Sequence, residues 1–465
     1  MSKNSSSGGN DPELSDDALF QRDADRVYQE LLARIGEGHP QPRLSATRRL
    51  VELLGDPQRA FPIIHVTGTN GKTSTSRITE SILRAYGLRT GMFTSPHLVR
   101  VNERILIDGE PISNEAFVAN YRDIKPYLDM VDAELRAGGE APLAFFEAFT
   151  ALAYASFADA PVDVAVIEVG LGGEWDSTNV GDGQVAVFTP ISLDHTARLG
   201  KTVALIAATK AGIIKPAAAV VTAIQPATAL AELERASELM EASIAVQGSG
   251  FELLSNTVAV GGQVISVRGI AGTYNDLFLP LFGDHQAQNA AVAIAAVESF
   301  LGGGEQTLVG DVLTEGIATA TSPGRLQVIG MEPTVIIDAA HNPDGARSLA
   351  AALGSYFTFD EIAVVLGVLD DKDARSIVAA LAPVTEVFLV TASSSERAVP
   401  VDDLAELVRE VAPEIAVEDH ESPAAAITAA RAWAEKAPKR GVVITGSITL
   451  IGDALELAVS EGWKR

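Results

Sequence analysis

The sequence predicts two consecutive α/β units, each on a mostly parallel sheet, with a small antiparallel annex in the first. Three observations predict this. Short β-branched runs alternate with longer stretches carrying apolar residues at helical spacing, the pattern of parallel strands joined by right-handed crossovers. A glycine-rich turn, "TGTNGKT" at residues 67–73, sits between one such strand and one such helix. The alternation restarts near residue 330, after "TSPGRLQ", where Pro323 and Gly324 favour a turn.

In chain order, residues 1 to 16 are polar and glycine-rich and read as a disordered tail. Residues 17–322 form the first unit and 323–465 the second. "FPIIHV" is a strand ending in the glycine turn. "TSRITESILRAYG" places Ile78, Ile82 and Leu83 on one helix face, and Gly87 ends that helix. "TGMFT", "VDVAVIEVG", "QVAVFTP" and "AAVVTAI" are further buried strands. "NTVAVGGQVISVRG" differs: two alternating strands flank Gly261 and Gly262, a β-hairpin and the antiparallel annex. "GDHQAQNAAVAIAAVESFLG" is a helix. In the second unit the strands are "TVIIDAAH", "EIAVVLGVL", "EVFLVTAS" and "GVVITGS", with helices such as "DGARSLAAAL" between them.

Composition bounds the function. A chain of 465 residues with 47% hydrophobic residues can bury sizeable cores in two or three domains. The formal net charge of -26 repels phosphate backbones, which argues against a nucleic-acid partner. Any site for an anion must therefore carry its own cations or metal. There is no cysteine, which excludes disulfides, thiolate metal sites and cysteine nucleophiles and fits a cytoplasmic protein. No apolar signal region opens the chain and no apolar run is long enough for a bilayer, so no membrane association is expected.

The usual phosphate loop is G-x-x-x-x-G-K-[ST]. Here Val66 stands at its first glycine and Gly68 takes up that role closer in. Glycines let backbone N–H groups approach phosphate, and the helix N-terminus favours negative charge. Lys72 can reach outer phosphates and Thr73 can ligate magnesium; the alternative is a plain Gly-Asn turn. Other strand ends carry polar groups: Ser95 and His97 in "TSPHL", Glu168 in "IEVG", Asp194 and His195 in "SLDHT". Ligands of open α/β sheets bind beyond such strand ends. Magnesium wants oxygen ligands, which Ser95 and Glu168 supply. His195 is a less usual ligand and could equally be a structural histidine.

Together these motifs are specific. "SATRRLVELLGDPQRAFPIIHVTGTNGKTST", "FTSPHLVRVNERILIDGEPIS", "LAFFEAFTALA", "IEVGLGGEWDSTN", "SLDHTARLG", "KAGIIKP", "HQAQNAA", "SPGRLQ", "DAAHNPDGA" and "DDKD" occur in order over about residues 40–455. In this the chain resembles the folylpolyglutamate synthase and dihydrofolate synthase group of the Mur ligase superfamily. The resemblance implies a Mur-ligase-type P-loop ATPase domain followed by a Rossmann-like ligase domain. It implies an ATP-dependent amide ligase. A carboxylate takes the γ-phosphoryl group to give an acyl phosphate and ADP, and the amino group of L-glutamate displaces phosphate. The implied acids are dihydropteroate and reduced folate tails; the implied cofactor is Mg2+, two ions, with ATP as co-substrate; a monomer is expected.

The resemblance also implies roles. Asn70, Gly71, Lys72 and Thr73 would hold ATP phosphates. Thr73, Ser95, Glu168 and His195 would bind magnesium. Leu44, Ser45 and Ala46, Phe145, Phe146 and Glu147, and Trp175, Asp176 and Ser177 would contact the pterin or pteroate, although Phe145 and Phe146 could equally be helix core. Asn289 and Arg325 would reach ATP, Asp338 would bind ribose and His341 would lie near adenosine; the alternative for Asp338 is helix capping. Lys210 in "ATKAGIIKP" would be carbamylated, and with Lys72 and His195 would serve catalysis. The chain departs from the family at Glu174 and Trp175, where Arg and Leu are common, at Thr209, where Glu is usual, and in "TGSITLIG". An acidic Glu174 would weaken the grip on an anionic tail, and Thr209 could still donate a hydrogen bond that supports a modified Lys210. Two rival functions are a cell-wall peptide ligase of the same superfamily and a nucleotide-binding regulator without ligase activity. Only about 65 residues precede the phosphate loop, too few for the nucleotide-sugar domain of the first. The set of metal ligands on several strand ends argues against the second.

Overall fold

The computed structural model describes residues 16–37 and 41–464. The tail expected over residues 1 to 16 lies outside them except for Asp16, which opens the first helix, Asp16–Leu32. The first sheet holds β1 (Ile63–Thr67), β2 (Thr90–Phe93), β3 (Ile105–Ile107), β4 (Glu110–Pro111), β5 (Val164–Glu168), β6 (Gly183–Phe188), β7 (Ala219–Thr222) and β8 (Ser243–Val246). Their order is β4-β3-β2-β5-β1-β6-β7-β8. From β2 to β8 in that order neighbours are parallel; β3 and β4 turn back antiparallel at one edge.

The central strands are unbroken apolar runs because helices cover both faces of the sheet. Side chains alternate between the two cores. Ile64 and Val66 of β1 pack with Ile78 and Ile82 of the helix Lys72–Ala85 and with the alanine-rich helix Asp284–Gly302. Ile63, Ala165 and Ile167 face the helices Ser45–Leu53, Asn114–Ala137 and Phe145–Asp159. Crossovers leave β1 in opposite directions, toward β2 and β5 on one side and β6 and β7 on the other, so the loop after β1 lies at the switch point where such sheets bind ligands.

The annex has three strands, β9 (Glu252–Ala259), β10 (Gly262–Arg268) and β11 (Thr273–Leu279), in the order β11-β10-β9. The hairpin around Gly261 is as the sequence reads, and the third strand, "TYNDLFL", adds to it. The second large sheet holds β12 (Gln327–Met331), β13 (Thr334–Ile337), β14 (Glu361–Leu366), β15 (Val387–Val390), β16 (Ala416–Asp419) and β17 (Arg440–Thr445), ordered β12-β13-β17-β14-β15-β16. Only β12 runs antiparallel. No described helix is long and apolar enough to cross a membrane.

Candidate active site

The two large sheets direct their C-terminal strand ends into one cleft of about 790 Å3. The first sheet contributes the loop after β1, Ser95 after β2, Glu168 at the end of β5, and Asp194 and His195 after β6. The second contributes Asp338 and His341 after β13, Lys372 after β14, Arg397 after β15 and Ser447 after β17.

The loop after β1 has the backbone its glycines permit. Gly68 (φ +150°) lies against Thr189, where a Cβ would overlap the threonine hydroxyl. Gly71 (φ +88°) is the N-cap of the helix Lys72–Ala85, and a Cβ there would stand 2.6 Å from Asn289 Oδ1. Among the described residues no side chain caps this helix, so its first-turn N–H groups remain available to an anion. Lys72 Nζ donates to the carbonyls of Gly68 (3.3 Å) and Thr69 (3.2 Å). Burial pushes its ammonium below the usual lysine range, against the pull of Glu168 and Asp194. Asn70, Gly71, Lys72, Thr73, Asn289 and Arg325 all line the cleft.

Glu168 is buried, and its carboxylate accepts from the Thr73 hydroxyl at 3.0 and 3.1 Å and from the Thr94 hydroxyl. Ser95 and His195 line the same wall. Among the described residues no group of three or more His, Cys, Asp or Glu could cage a metal. The donors present are one carboxylate, two hydroxyls and one imidazole. That set fits magnesium, which keeps waters and takes substrate phosphates as ligands instead of a full protein cage. Burial holds His195 down to about 4, with Lys372 and Lys72 opposing the pull of Asp194, so its ring is neutral at pH 7.

Lys210 is 4% exposed, and its Nζ donates to Gly68 O at 2.7 Å. Burial, reinforced by Lys72, lowers it to about 7. Thr209 gives no support here: its hydroxyl bonds back to Leu205 O of its own helix, as helical threonines do when the i−4 carbonyl is in reach.

The far end of the cleft is lined by Tyr28, Arg104, Phe146, Glu147, Trp175 and Ser177. Phe146 and Glu147 thus reach it, whereas Phe145 faces the core, stacked on Phe149 with Arg104 over its ring. Leu44, Ser45 and Ala46 do not reach it. They open the helix Ser45–Leu53, whose apolar face turns Ala46 into the core while Ser45 is exposed; Gln41 and Ile35 to Glu37 line the cleft instead. His97 is engaged structurally: Arg104 Nε donates to its Nδ1 (2.8 Å) and Tyr28 OH lies 3.3 Å from its Nε2.

Across the cleft Asp338 accepts the N–H groups of Leu326 and Ala340, both at 2.9 Å. It is not a cap: Asn342 caps the helix Pro343–Tyr356. The backbone of Leu326 is left-handed (φ 44°), and its bond to Asp338 fixes the turn that sets Arg325 in the cleft. Burial lowers His341 to about 4, and its Nδ1 lies 2.8 Å from Ala339 O. Two residues that the motif reading left without a role join the sheets. Lys372 of "DDKD" donates to Asp194 Oδ1 at 3.1 Å, and the Asn70 and Asn342 amides exchange hydrogen bonds at 2.9 and 3.4 Å.

Comparison with known proteins decides what this cleft belongs to. The Mur ligase middle domain matches residues 143–297, and the Mur ligase glutamate ligase domain matches residues 324–448. The dihydrofolate synthase/folylpolyglutamate synthase of Mycobacterium tuberculosis is 45% identical over 438 residues, 90% of both chains. The chain belongs to the dihydrofolate synthase/folylpolyglutamate synthase family. The structure of the Mycobacterium tuberculosis folylpolyglutamate synthase complexed with ADP superposes with a TM-score of 0.90 at 43% identity, covering 94% of this chain and 99% of that one. That of Escherichia coli FolC in complex with DHPP and ADP superposes with a TM-score of 0.81 at 28% identity, covering 94% and 98%. The chain is thus an ATP-dependent glutamate ligase of the Mur superfamily, with a P-loop ATPase-like first unit and a Rossmann-like second.

Proposed function

We propose that this ligase carries out both reactions of its family in the cytoplasm: glutamate addition to dihydropteroate, and to the tail of a reduced folate. The observation that carries the reading is the single cleft in which the uncapped phosphate-loop helix, Glu168 and an aromatic far end meet the strand ends of the second sheet. The domains are residues 17–322 for ATP phosphates and the acid, and 323–465 for the nucleoside and glutamate.

Asn70 to Thr73 bind the ATP phosphates, with Lys72 neutralising the outer ones. Arg325 and Asn289 reach the nucleotide from either side, Asp338 takes the ribose and His341 lies near the adenosine. Phe146, Trp175 and Ser177 hold the flat ring of the acid. Its carboxylate attacks the γ-phosphorus, the bond to the β-phosphate oxygen breaks, and ADP leaves. The neutral glutamate amine then attacks the acyl carbon, the bond from that carbon to the bridging oxygen breaks, phosphate departs with the bridging oxygen, and the nitrogen gives up a proton to solvent. Lys372, Arg397 and Ser447 supply donors for the glutamate carboxylates on the second wall. Thr73, Ser95, Glu168 and His195 would hold magnesium, which when bound neutralises charge developing on the transferred phosphoryl group. The neutral Lys210 amine, populated near pH 7, would add carbon dioxide and lose a proton to become a carbamate, so that beside bound magnesium an anion would stand in place of a cation.

The test is substrate dependence of phosphate release. It should require ATP, a pteroate-type acid and glutamate together. Release stimulated by a UDP-linked peptide precursor, or without any acid, would contradict the reading.

A further inference from the structure

Beneath the acid end of the cleft a buried chain of polar groups leads to Asp176, and the reaction gives its other members, His65 and Thr178, no role. His65, on β1, leads toward the phosphate loop, and its ring is fully buried. Its Nε2 lies 2.9 Å from Thr178 Oγ1. The Thr178 hydroxyl donates to Asp176 Oδ1 at 2.5 Å. A hydroxyl has one hydrogen, so toward His65 it can only accept, and the ring carries its proton on Nε2. The other nitrogen, Nδ1, is buried with no partner among the described residues.

Asp176 is 4% exposed and lines the cleft between Trp175 and Ser177. Its carboxylate spends its lone pairs on its own loop. Oδ1 also accepts Thr178 N–H (3.0 Å), and Oδ2 accepts Leu171 N–H (2.8 Å). The same loop rests on the helix that carries Lys210. Glu174 N–H donates to Thr209 O at 2.8 Å, and a Cβ on Gly173 would stand 2.6 Å from Lys210 O. Asp176 thus ties the two sides of the loop together, alongside the Asn179 amide, which donates to Glu174 O and Gly212 O, both at 3.0 Å.

We propose that His65 and Thr178 are positioning residues, forming a relay from β1 through Thr178 to Asp176 that sets the loop presenting Trp175 and Ser177 to the acid substrate. This rests on reading the far end of the cleft as the acid site. A buried polar cluster that only stabilised the fold would be indifferent to which substrate is bound. A relay acting through this loop affects the acid directly, because Trp175 and Ser177 lie on it, and ATP less, because the loop meets the phosphate loop through the Thr67 hydroxyl bond to Gly172 O (2.9 Å) and through the Lys210 helix.

Thr178→Val keeps the side-chain shape and removes the hydroxyl, leaving a buried His65 N–H unpaired. It also removes the hydroxyl donor that Asp176 Oδ1 accepts, so the loop presenting Trp175 and Ser177 loses one of its holds. The measurement is steady-state KM for dihydropteroate and for ATP in Thr178→Val, Thr178→Ser and Phe146→Ala, with Thr178→Ala used if the valine variant does not fold. We expect the acid KM of the hydroxyl-free variant to rise about tenfold, the ATP KM to stay within about twofold, and serine to restore the wild-type value. An unchanged acid KM in that variant, with Phe146→Ala raising it, overturns the relay and spares the site. An unchanged acid KM in Phe146→Ala overturns the site and the relay with it. Equal rises in both KM values that serine does not reverse would make the cluster merely structural and also overturn the proposal.

Discussion

Replacing Lys372 with methionine tests the junction of the two sheets. Its Nζ donates to Asp194 Oδ1 at 3.1 Å, and the two side chains are only 8% and 13% exposed. Solvent screening is therefore slight. Breaking such a pair by removing one partner costs about 3–5 kcal/mol, because the remaining charge stays buried. Asn342 Nδ2, at 3.4 Å from Asp194 Oδ2, compensates weakly, so the lower end, about 3 kcal/mol, is expected. The pH dependence supplies the sign. Burial alone would raise the Asp194 carboxyl, but His195, Lys372 and His341 outweigh it and hold it well below the usual carboxylate range. A depressed folded value means that the carboxylate contributes stability above its unfolded value, about pH 4, and loses it as pH falls toward the folded one. Lys372→Met weakens the depression. Denaturant unfolding without nucleotide should therefore show the widest gap between wild type and variant near pH 7, narrowing below about pH 4. A gap that is absent at pH 7, or constant over the whole range, would refute the reasoning.

The site makes three further predictions. Glu168→Gln keeps the two hydroxyl bonds within reach but removes the negative charge; ligase turnover should fall at least about a hundredfold at ordinary magnesium with the unfolding midpoint nearly unchanged, as read by phosphate release and circular dichroism. Arg325→Ala and Asp338→Ala should each lower activity and raise the ATP KM about tenfold, the second because Leu326 loses the bond that fixes the Arg325 turn, as read by steady-state kinetics. Lys210→Arg should lose most activity, since arginine keeps its charge and forms no carbamate; difference density at the Lys210 Nζ of wild-type crystals grown near neutral pH checks the modification directly.

The central architecture was legible because the central strands are buried on both faces and so read as unbroken apolar runs, as in "FPIIHV" and "EIAVVLGVL". What escaped lies at sheet margins. β4 and β8 are the edges of the first sheet, β12 and β16 those of the second, and β11 an edge of the annex. Edge strands need cover less apolar surface; "AVED" of β16 is mostly exposed. In the site, strand-end polar groups such as Ser95, Glu168 and His195 converged as their positions imply. Leu44 to Ala46 did not, because helical periodicity there serves the core, and a quoted motif does not say which face of its helix meets the substrate. The Lys372–Asp194 and Asn70–Asn342 links join residues 178 and 272 positions apart. Each residue stood in a recognised motif, but pairing across a cleft leaves no local periodic signal.

Mass-spectrometric product analysis, with dihydropteroate and a reduced folate offered separately in the presence of ATP, magnesium and glutamate, tests the central claim most directly. The account predicts a product one glutamyl residue heavier in both reactions, with one ADP formed for each glutamate joined. A glutamylated product from only one of the two acids, or ADP formation with product from neither, would contradict it.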